Sequence, residues 1–310
     1  MKAKKNKILP VDKYIYEALY NKKSGYYMTK YPFGEKGDYI TAPNISKMFS
    51  EMIAIWVISF WEGLKFPKKF NLIELGAGNG EMIKQMINTF DQFPNFKSSC
   101  KINILEKSIK LKKVQKNNLK NKKIKWLDNL NEVSNEPCIF IANEFFDSLP
   151  IKQFVKKKDL WFERNVEFSK SKYPKFIDIK FDIKKLEQEV GFKISFNQKF
   201  IEYSPLAGKY LEIISKKINL NNGGILIIDY GNWGRKMKNT LKSIYKHSHN
   251  NILENFGKAD ITYNLNFYTL EKILKKLKLE ISGKDNQKNF LIKLGILKRA
   301  EILSNNLPFS

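Results

Sequence analysis

Apolar and polar positions change period several times along the chain, and each change predicts an element. Residues 11–22 set Tyr14 and Ala18 on one face with Ile15 and Leu19 beside them, which predicts a short helix. Ser24 and Gly25 end it, and residues 25–46 read as a loop broken by Pro32, Gly34, Gly37 and Pro43. Ser46 is a cap candidate for a helix over Met48–Trp61. Its apolar run at 52–61 falls well short of the roughly 20 residues that span a membrane, so a half-buried helix is expected and stable membrane insertion is not.

From residue 70 the texture alternates. Short apolar strands are predicted at 70–75, 100–106, 124–127 and 137–142, with helices over 81–93 and 107–120. This βαβαβ rhythm implies an α/β fold, a mostly parallel sheet covered by helices on both faces. Residues 151–205 interrupt it with alternating pieces that predict hairpins and a short helix near 183–190. A helix over 206–219, a buried strand at 225–230, a helix over 269–279 opened by Thr269, and a late strand at 290–297 complete the expectation. The stretches separate as 1–69, an N-terminal helical and lid segment; 70–150, the first half of the core; 151–205, an inserted cap; and 206–310, the second half of the core.

Composition narrows the chemistry. Two cysteines and two histidines in 310 residues leave no disulfide scaffold and no cysteine- or histidine-built metal cage. The net charge is +25, yet Arg164, Arg235 and Arg299 are the only arginines, so 53 of the 56 basic residues are lysine. Base reading relies heavily on arginine, so sequence-specific nucleic-acid binding is not expected. The lysines, spread over the whole length beside many Asn and Ile, fit a codon bias better than a binding surface. The start has no secretory signal, and the chain reads as intracellular: cytoplasmic in a bacterium, in the mitochondrial matrix only for a eukaryotic source.

Candidate chemistry lies at strand ends. Glu74-Leu75-Gly76-Ala77-Gly78-Asn79-Gly80 follows the first sheet strand, where glycines permit a tight turn and close ligand approach. The sixth position of a dinucleotide fingerprint is Glu81, which suits a pyrophosphate badly. Glu106 ends the next strand, where a carboxylate can hold both hydroxyls of a ribose. The pair favours S-adenosylmethionine over NAD. Asn143-Glu144-Phe145-Phe146-Asp147 follows the strand at 137–142 and offers two carboxylates to a cationic or donor-rich substrate; Asp147 reads alternatively as a helix cap. Asp229 and Tyr230 end a further strand. The loop with Gly37, Asp38, Tyr39, Thr41 and Pro43, beside Tyr26, Tyr27 and Tyr31, reads as a lid, and His247 is a candidate base.

These motifs in this order resemble the MidA-like methyltransferases. The resemblance runs from about Tyr16 to Leu297 and is carried by GYYM at 25–28, GDYITAP at 37–43, ELGAGNG at 74–80, LEKS at 105–108, NEFFDSLP at 143–150, WFERNV at 161–166, IDYG at 228–231 and DITYNLNF at 260–267. It implies a class I, Rossmann-like core that uses S-adenosylmethionine, with the glycine turn on the methionine part and Glu106 on the ribose. It further implies that the loop Gly37, Asp38, Tyr39, Thr41, Pro43 and the pair Glu144 and Asp147 sit round cofactor and substrate, and that Asp260 and Thr262 lie on the substrate side. The residues themselves make Glu144 the first catalytic candidate, because it directly follows a strand end, with Asp147 as a second clamp or a cap; they put Asn143 beside the cofactor and Asp229, Tyr230 and His247 on the substrate side. The implied activity is methylation of an arginine in a protein substrate of the respiratory complex I type. Alternatives are an assembly chaperone that binds the cofactor without turnover and a small-molecule or RNA methyltransferase. Homodimerisation is left open. The chain departs from the family where a histidine and an aspartate are usual, at Asn264 and Asn266, and lacks the usual C-terminal ending.

Overall fold

The computed structural model describes residues 7–32, 42–169 and 172–305, which form two compact units. One comprises 31–143, 216–228 and 281–310; the other comprises 1–30, 144–215 and 229–280. The four stretches read from the sequence are thus redistributed: the chain's start joins the insertion and the substrate-side segment in one unit.

The first unit is built on a five-stranded parallel sheet of β1 (Phe70–Leu75), β2 (Cys100–Leu105), β3 (Ile124–Leu127), β4 (Cys138–Asn143) and β5 (Gly223–Ile228), in the order β3-β2-β1-β4-β5. Every residue of β1 is buried, including the polar Asn71 and Glu74, as expected of a central strand in a covered parallel sheet. The helix Glu81–Phe90 turns Met82, Ile83, Met86, Ile87 and Phe90 inward, and the helix Lys47–Gly63 contributes Ile53, Val57 and Trp61 to the same core. The apolar run at 52–61 is therefore a half-buried helix, opened as predicted by Ser46, whose Oγ accepts from the Met48 N–H at 3.2 Å. No described helix is long and apolar enough to cross a membrane.

The expected strand at 290–297 is helical instead, in two pieces, Gln287–Lys293 and Ile296–Asn305. Asn286 caps the first by accepting from the Asn289 N–H at 2.9 Å, and Gly295 at φ 93° turns the chain between them. Phe290 and Leu291 pack on the sheet core. Local cap signals thus prevail over an apolar run that suits a strand equally well.

The other unit carries the insertion as an antiparallel sheet. Leu160–Ser169 forms the predicted hairpins with Lys152–Lys157 and with Lys172–Lys180, and Phe200–Tyr203 returns to pair with Lys152–Lys157. Lys7–Pro10 joins it opposite Asn165–Phe168, a long-range pairing with no sequence signal. The helix Ile183–Val190 lies where expected and is capped by Asp182. The helix predicted from Thr269 begins at Phe267, because Asn266 is the cap and accepts from the Thr269 N–H at 2.8 Å.

Candidate functional site

Two constellations of carboxylates form, one in each unit. In the sheet unit, Gly76, Gly78 and Gly80 follow β1 with φ of 67°, 55° and 83°, values that favour glycine. Gly80 is the left-handed cap of the helix Glu81–Phe90. Glu81 turns along that helix, accepting from Gln85 Nε2 at 2.7 Å and facing Lys84 at 3.5 Å.

Glu74 is 3% exposed, and its Oε2 has no hydrogen-bond partner among the described residues. Burial, with the nearby Glu106 carboxylate adding to it, pushes the Glu74 carboxyl up to about 8. Glu106, immediately after β2, is also buried and its carboxyl is raised by that burial. Its Oε1 accepts from the Ser108 N–H at 2.8 Å and its Oε2 from Gln115 Nε2 at 3.0 Å. Lone pairs remain on both oxygens for a diol.

Gln115 is a residue that sequence reasoning missed. It is fully buried on the helix Ile109–Asn118, and its amide reaches the Gly78 carbonyl at 3.0 Å as well as Glu106. Trp126 Nε1 donates to its Oε1 at 3.0 Å. One side chain therefore ties the glycine turn to the strand-end acid. The turn also meets Asn44 of the short helix Ala42–Ile45, which accepts from Asn79 Nδ2 at 2.7 Å. Pro43 is buried in that helix, and Asn143 is the last residue of β4, beside Ile228 of β5. Gly37, Asp38, Tyr39 and Thr41 lie outside the described residues.

These groups fit S-adenosylmethionine. An unmatched buried carboxylate oxygen is costly and suits a ligand that brings positive charge. Glu106 presents an oriented carboxylate for ribose hydroxyls.

The second constellation starts where the chain leaves β4 and β5. Glu144 follows β4 directly and has φ 48°, a left-handed conformation that costs a residue with a Cβ about 1–3 kcal/mol. Asp229 follows β5 directly; its Oδ2 accepts from the Phe146 and Asp147 N–H groups at 3.0 and 3.2 Å, and its Oδ1 from the Tyr230 N–H at 2.8 Å. Burial raises the Asp229 carboxyl to about 7, against these three amides.

Asp147 does not cap a helix. No helix follows it: residues 147–148 turn, the Leu149 N–H bonds the Phe146 carbonyl, and Asp229 fixes the turn by accepting from the Phe146 and Asp147 N–H groups. Asp147 is buried, 6% exposed. Burial first, then the Asp229, Asp260 and Glu144 charges, hold its carboxyl well above the usual range; Lys242 acts in the opposite sense.

Asp260 is buried, with Oδ1 accepting from the Tyr27 hydroxyl at 2.8 Å and the Ile261 N–H at 2.9 Å. Thr262 is buried in the strand Asp260–Thr262. Tyr230 is half-exposed, its phenol raised chiefly by the Glu144 charge, with Lys242 Nζ 5.4 Å from the ring centre. Glu144, Asp147, Asp229, Tyr230 and Asp260 are thus brought together. His247 is not: it sits exposed at φ 62° in the turn between Lys242–Tyr245 and Ser248–Asn250 and bonds to none of the acids.

Tyr20 and Tyr263 carry no site signal in the sequence, and Tyr27, read there as part of a lid, instead bonds Asp260. Tyr20 donates to the Ser148 carbonyl at 3.0 Å, and its ring lies 5.6 Å from that of Tyr27. Tyr26, expected in a polar lid, is instead fully buried core. Tyr20 lies within the helix read over 11–22, but nothing local in the sequence links it to residue 148.

Comparison with known proteins bears on this geometry. Residues 52–284 match the family described as "Putative S-adenosyl-L-methionine-dependent methyltransferase". The chain is 30% identical over 329 residues to the mitochondrial protein arginine methyltransferase NDUFAF7 of Xenopus laevis, covering 95% of this chain and 72% of that one. It is 30% identical over 322 residues to the human protein of that name, with the same two coverages. A crystallised Burkholderia thailandensis protein bound to S-adenosyl-homocysteine superposes with a TM-score of 0.80 at 20% identity, over 97% of this chain and 79% of that one, which shows a shared fold. A class I core, a glycine turn flanked by two buried carboxylates and a family match over most of the chain agree: the chain belongs to the MidA-like family of S-adenosylmethionine-dependent methyltransferases.

Proposed function

We propose that this enzyme is a protein arginine N-methyltransferase whose acceptor guanidinium is held by Glu144, Asp147, Asp229 and Asp260. The observation that carries the reading is a buried Asp147 whose carboxyl is raised by burial and by the charges of Asp229, Asp260 and Glu144. A guanidinium brings a delocalised charge and five N–H donors, which such a set can match. The curated relatives, named as protein arginine methyltransferases, support the same acceptor.

When bound, S-adenosylmethionine supplies a methyl group already activated on a sulfonium. Glu74 would face its positive end, and Glu106, oriented by Ser108 and Gln115, its ribose. Glu144 would orient the guanidinium through charge-assisted hydrogen bonds and take the proton that the methylated nitrogen must lose. Asp147 would be the second clamp, its carboxyl ionising as the cation arrives. Asp229 holds the turn that presents both. A subunit of a respiratory complex I type assembly is the first acceptor class to test, in a bacterial cytoplasm or a mitochondrial matrix according to the source.

The test is transfer of a radiolabelled methyl group from S-adenosylmethionine to an extract lacking the gene, followed by acid hydrolysis. Label in methylarginine is the expected result. Label confined to RNA or to small molecules would overturn the reading.

A further inference from the structure

The stretch from Tyr230 to Leu253 has no acidic residue in 24 positions, whereas the whole chain has 31 in 310. It carries five cations: Arg235, Lys236, Lys238, Lys242 and Lys246. A lysine-favouring codon bias does not account for Arg235. The other two arginines are paired, Arg164 with Asp178 at 3.3 Å and Arg299 with Glu51 at 2.7 Å. Arg235 is exposed and makes no ion pair among the described residues; the same holds for the exposed Lys236 and Lys238.

Backbone contacts hold this strip beside the acidic group. It starts at Tyr230, whose N–H donates to Asp229 Oδ1 at 2.8 Å and whose carbonyl accepts from the Leu265 N–H at 2.8 Å. Gly231 and Asn232 then run parallel to Leu265 and Asn266. The segment they lie along reaches the acids too, since the Tyr263 N–H donates to the Asp147 carbonyl at 3.2 Å. Further on, Asn266 Nδ2 donates to the Gly234 carbonyl and Gln198 Nε2 to the Arg235 carbonyl, each at 2.7 Å. The backbone is thereby fixed, and the Arg235, Lys236 and Lys238 side chains are left to solvent. Lys242 brings the strip back to the acids: it pairs with Thr262, and its Nζ lies 5.4 Å from the Tyr230 ring centre. Between Tyr230 and the cations stands Trp233, 47% exposed and stacked on Phe267 at 4.7 Å, a rigid apolar shelf.

A ligand here meets opposite charges side by side. A polyphosphate could satisfy the cations only by bringing its own charge up to the carboxylates. A peptide whose arginine enters the acidic group and whose neighbouring residues are acidic satisfies both. The five residues from Tyr230 to Arg235 span at most about 18 Å, the reach of an equal number of extended substrate residues. We propose that the strip Tyr230–Lys242 docks an acidic flank of the protein substrate, a run of Asp or Glu within about five residues of the acceptor arginine. This rests on the arginine reading and adds the sequence class that surrounds the acceptor.

The experiment uses the full chain saturated with S-adenosyl-homocysteine and measures dissociation constants for three peptides and for oligouridylate. The first peptide has a central arginine with glutamates three to five residues to either side. The second has glutamines in their place, and the third is the first with lysine at its centre. The parent should bind the glutamate peptide about 10-fold more tightly than the glutamine peptide, as three exposed contacts of ordinary strength provide, and added salt should close the gap. Arg235→Gln, Lys236→Gln and Lys238→Gln together should abolish that preference. They should leave glutamine-peptide affinity, cofactor-product affinity and the thermal midpoint unchanged. Lys236→Gln alone should cut the preference about 2-fold, which keeps the test decisive if the triple variant loses stability. Equal binding of the two arginine peptides by the parent, or a preference that survives these substitutions, would overturn the proposal. So would oligouridylate that binds more tightly than the glutamate peptide and loses affinity in the triple variant, which would assign the strip to RNA. A lysine-centred peptide bound as tightly as its arginine counterpart, with the preference for glutamate intact, would uphold the strip and overturn the arginine reading.

Discussion

Replacing Glu74 by glutamine tests the proposed cofactor role of the glycine-turn acids through proton linkage. The Glu74 carboxyl rises from an ordinary 4.5 to about 8 because it is buried with one oxygen unmatched and Glu106 nearby. Below about pH 4.5 the group is protonated whether folded or unfolded and contributes no pH dependence. Between about 4.5 and 8 the unfolded chain releases the proton while the folded one keeps it, so stability falls as pH rises. At about 1.4 kcal/mol per pH unit, that interval corresponds to at most about 5 kcal/mol. Half of that would move the thermal midpoint by about 5 °C in a chain this long. Glu74→Gln should therefore raise the ligand-free midpoint at pH 8 and flatten its slope from pH 5 to 8; the other raised carboxyls are common to both proteins and cancel in the difference. A cationic ligand end beside Glu74 should also expel its proton, so calorimetry with S-adenosylmethionine at pH 7 should show release of about one proton in the parent and less in the variant. Identical slopes together with identical proton release would refute the burial argument for this residue.

Other outcomes follow from the same coordinates. Gly78→Val should abolish S-adenosylmethionine binding, read by calorimetry, since φ 55° disfavours a β-branched residue at the turn that Gln115 grips. Asn266→Ala should lower the thermal midpoint by the equivalent of about 1 kcal/mol, from loss of the cap on Phe267–Lys276, with cofactor affinity unchanged. Filter binding to mixed RNA should be weak and steeply salt-dependent, as expected from +25 of charge; sub-micromolar, sequence-selective retention at physiological salt would contradict it.

Much of the sheet unit was legible because its signals are local. FNLIEL reads as a buried strand, and a glycine turn with an acid on either side announces a ligand. The helix at 183–190 was equally plain from its apolar spacing. What escaped depends on contacts far apart in sequence. Tyr20 meets Ser148, Tyr27 meets Asp260, and Lys7–Pro10 pairs with Asn165–Phe168, none of which a window of neighbouring residues can reveal. Gln115 looks like a surface residue among lysines, yet three polar contacts, to Gly78, Glu106 and Trp126, fix it inside. Asp147 resembles a cap because an acid before a new element usually is one, but no helix follows it; a turn does, held by Asp229 from 82 residues away. The 290–297 segment was misread because apolar content alone does not set the period, and Asn286 with Gly295 does.

The division of labour between the two carboxylate groups is tested most directly at Glu144. Glutamine there keeps size and much of the hydrogen bonding while removing the charge that would hold and deprotonate a guanidinium. Transfer of labelled methyl to protein in a gene-deficient extract should fall about 100-fold or more, equivalent to about 2.7 kcal/mol. Affinity for S-adenosylmethionine should change little, because Glu74, Glu106 and Gln115 are untouched. Full transfer by Glu144→Gln, or loss of transfer matched by loss of cofactor binding, would contradict the account.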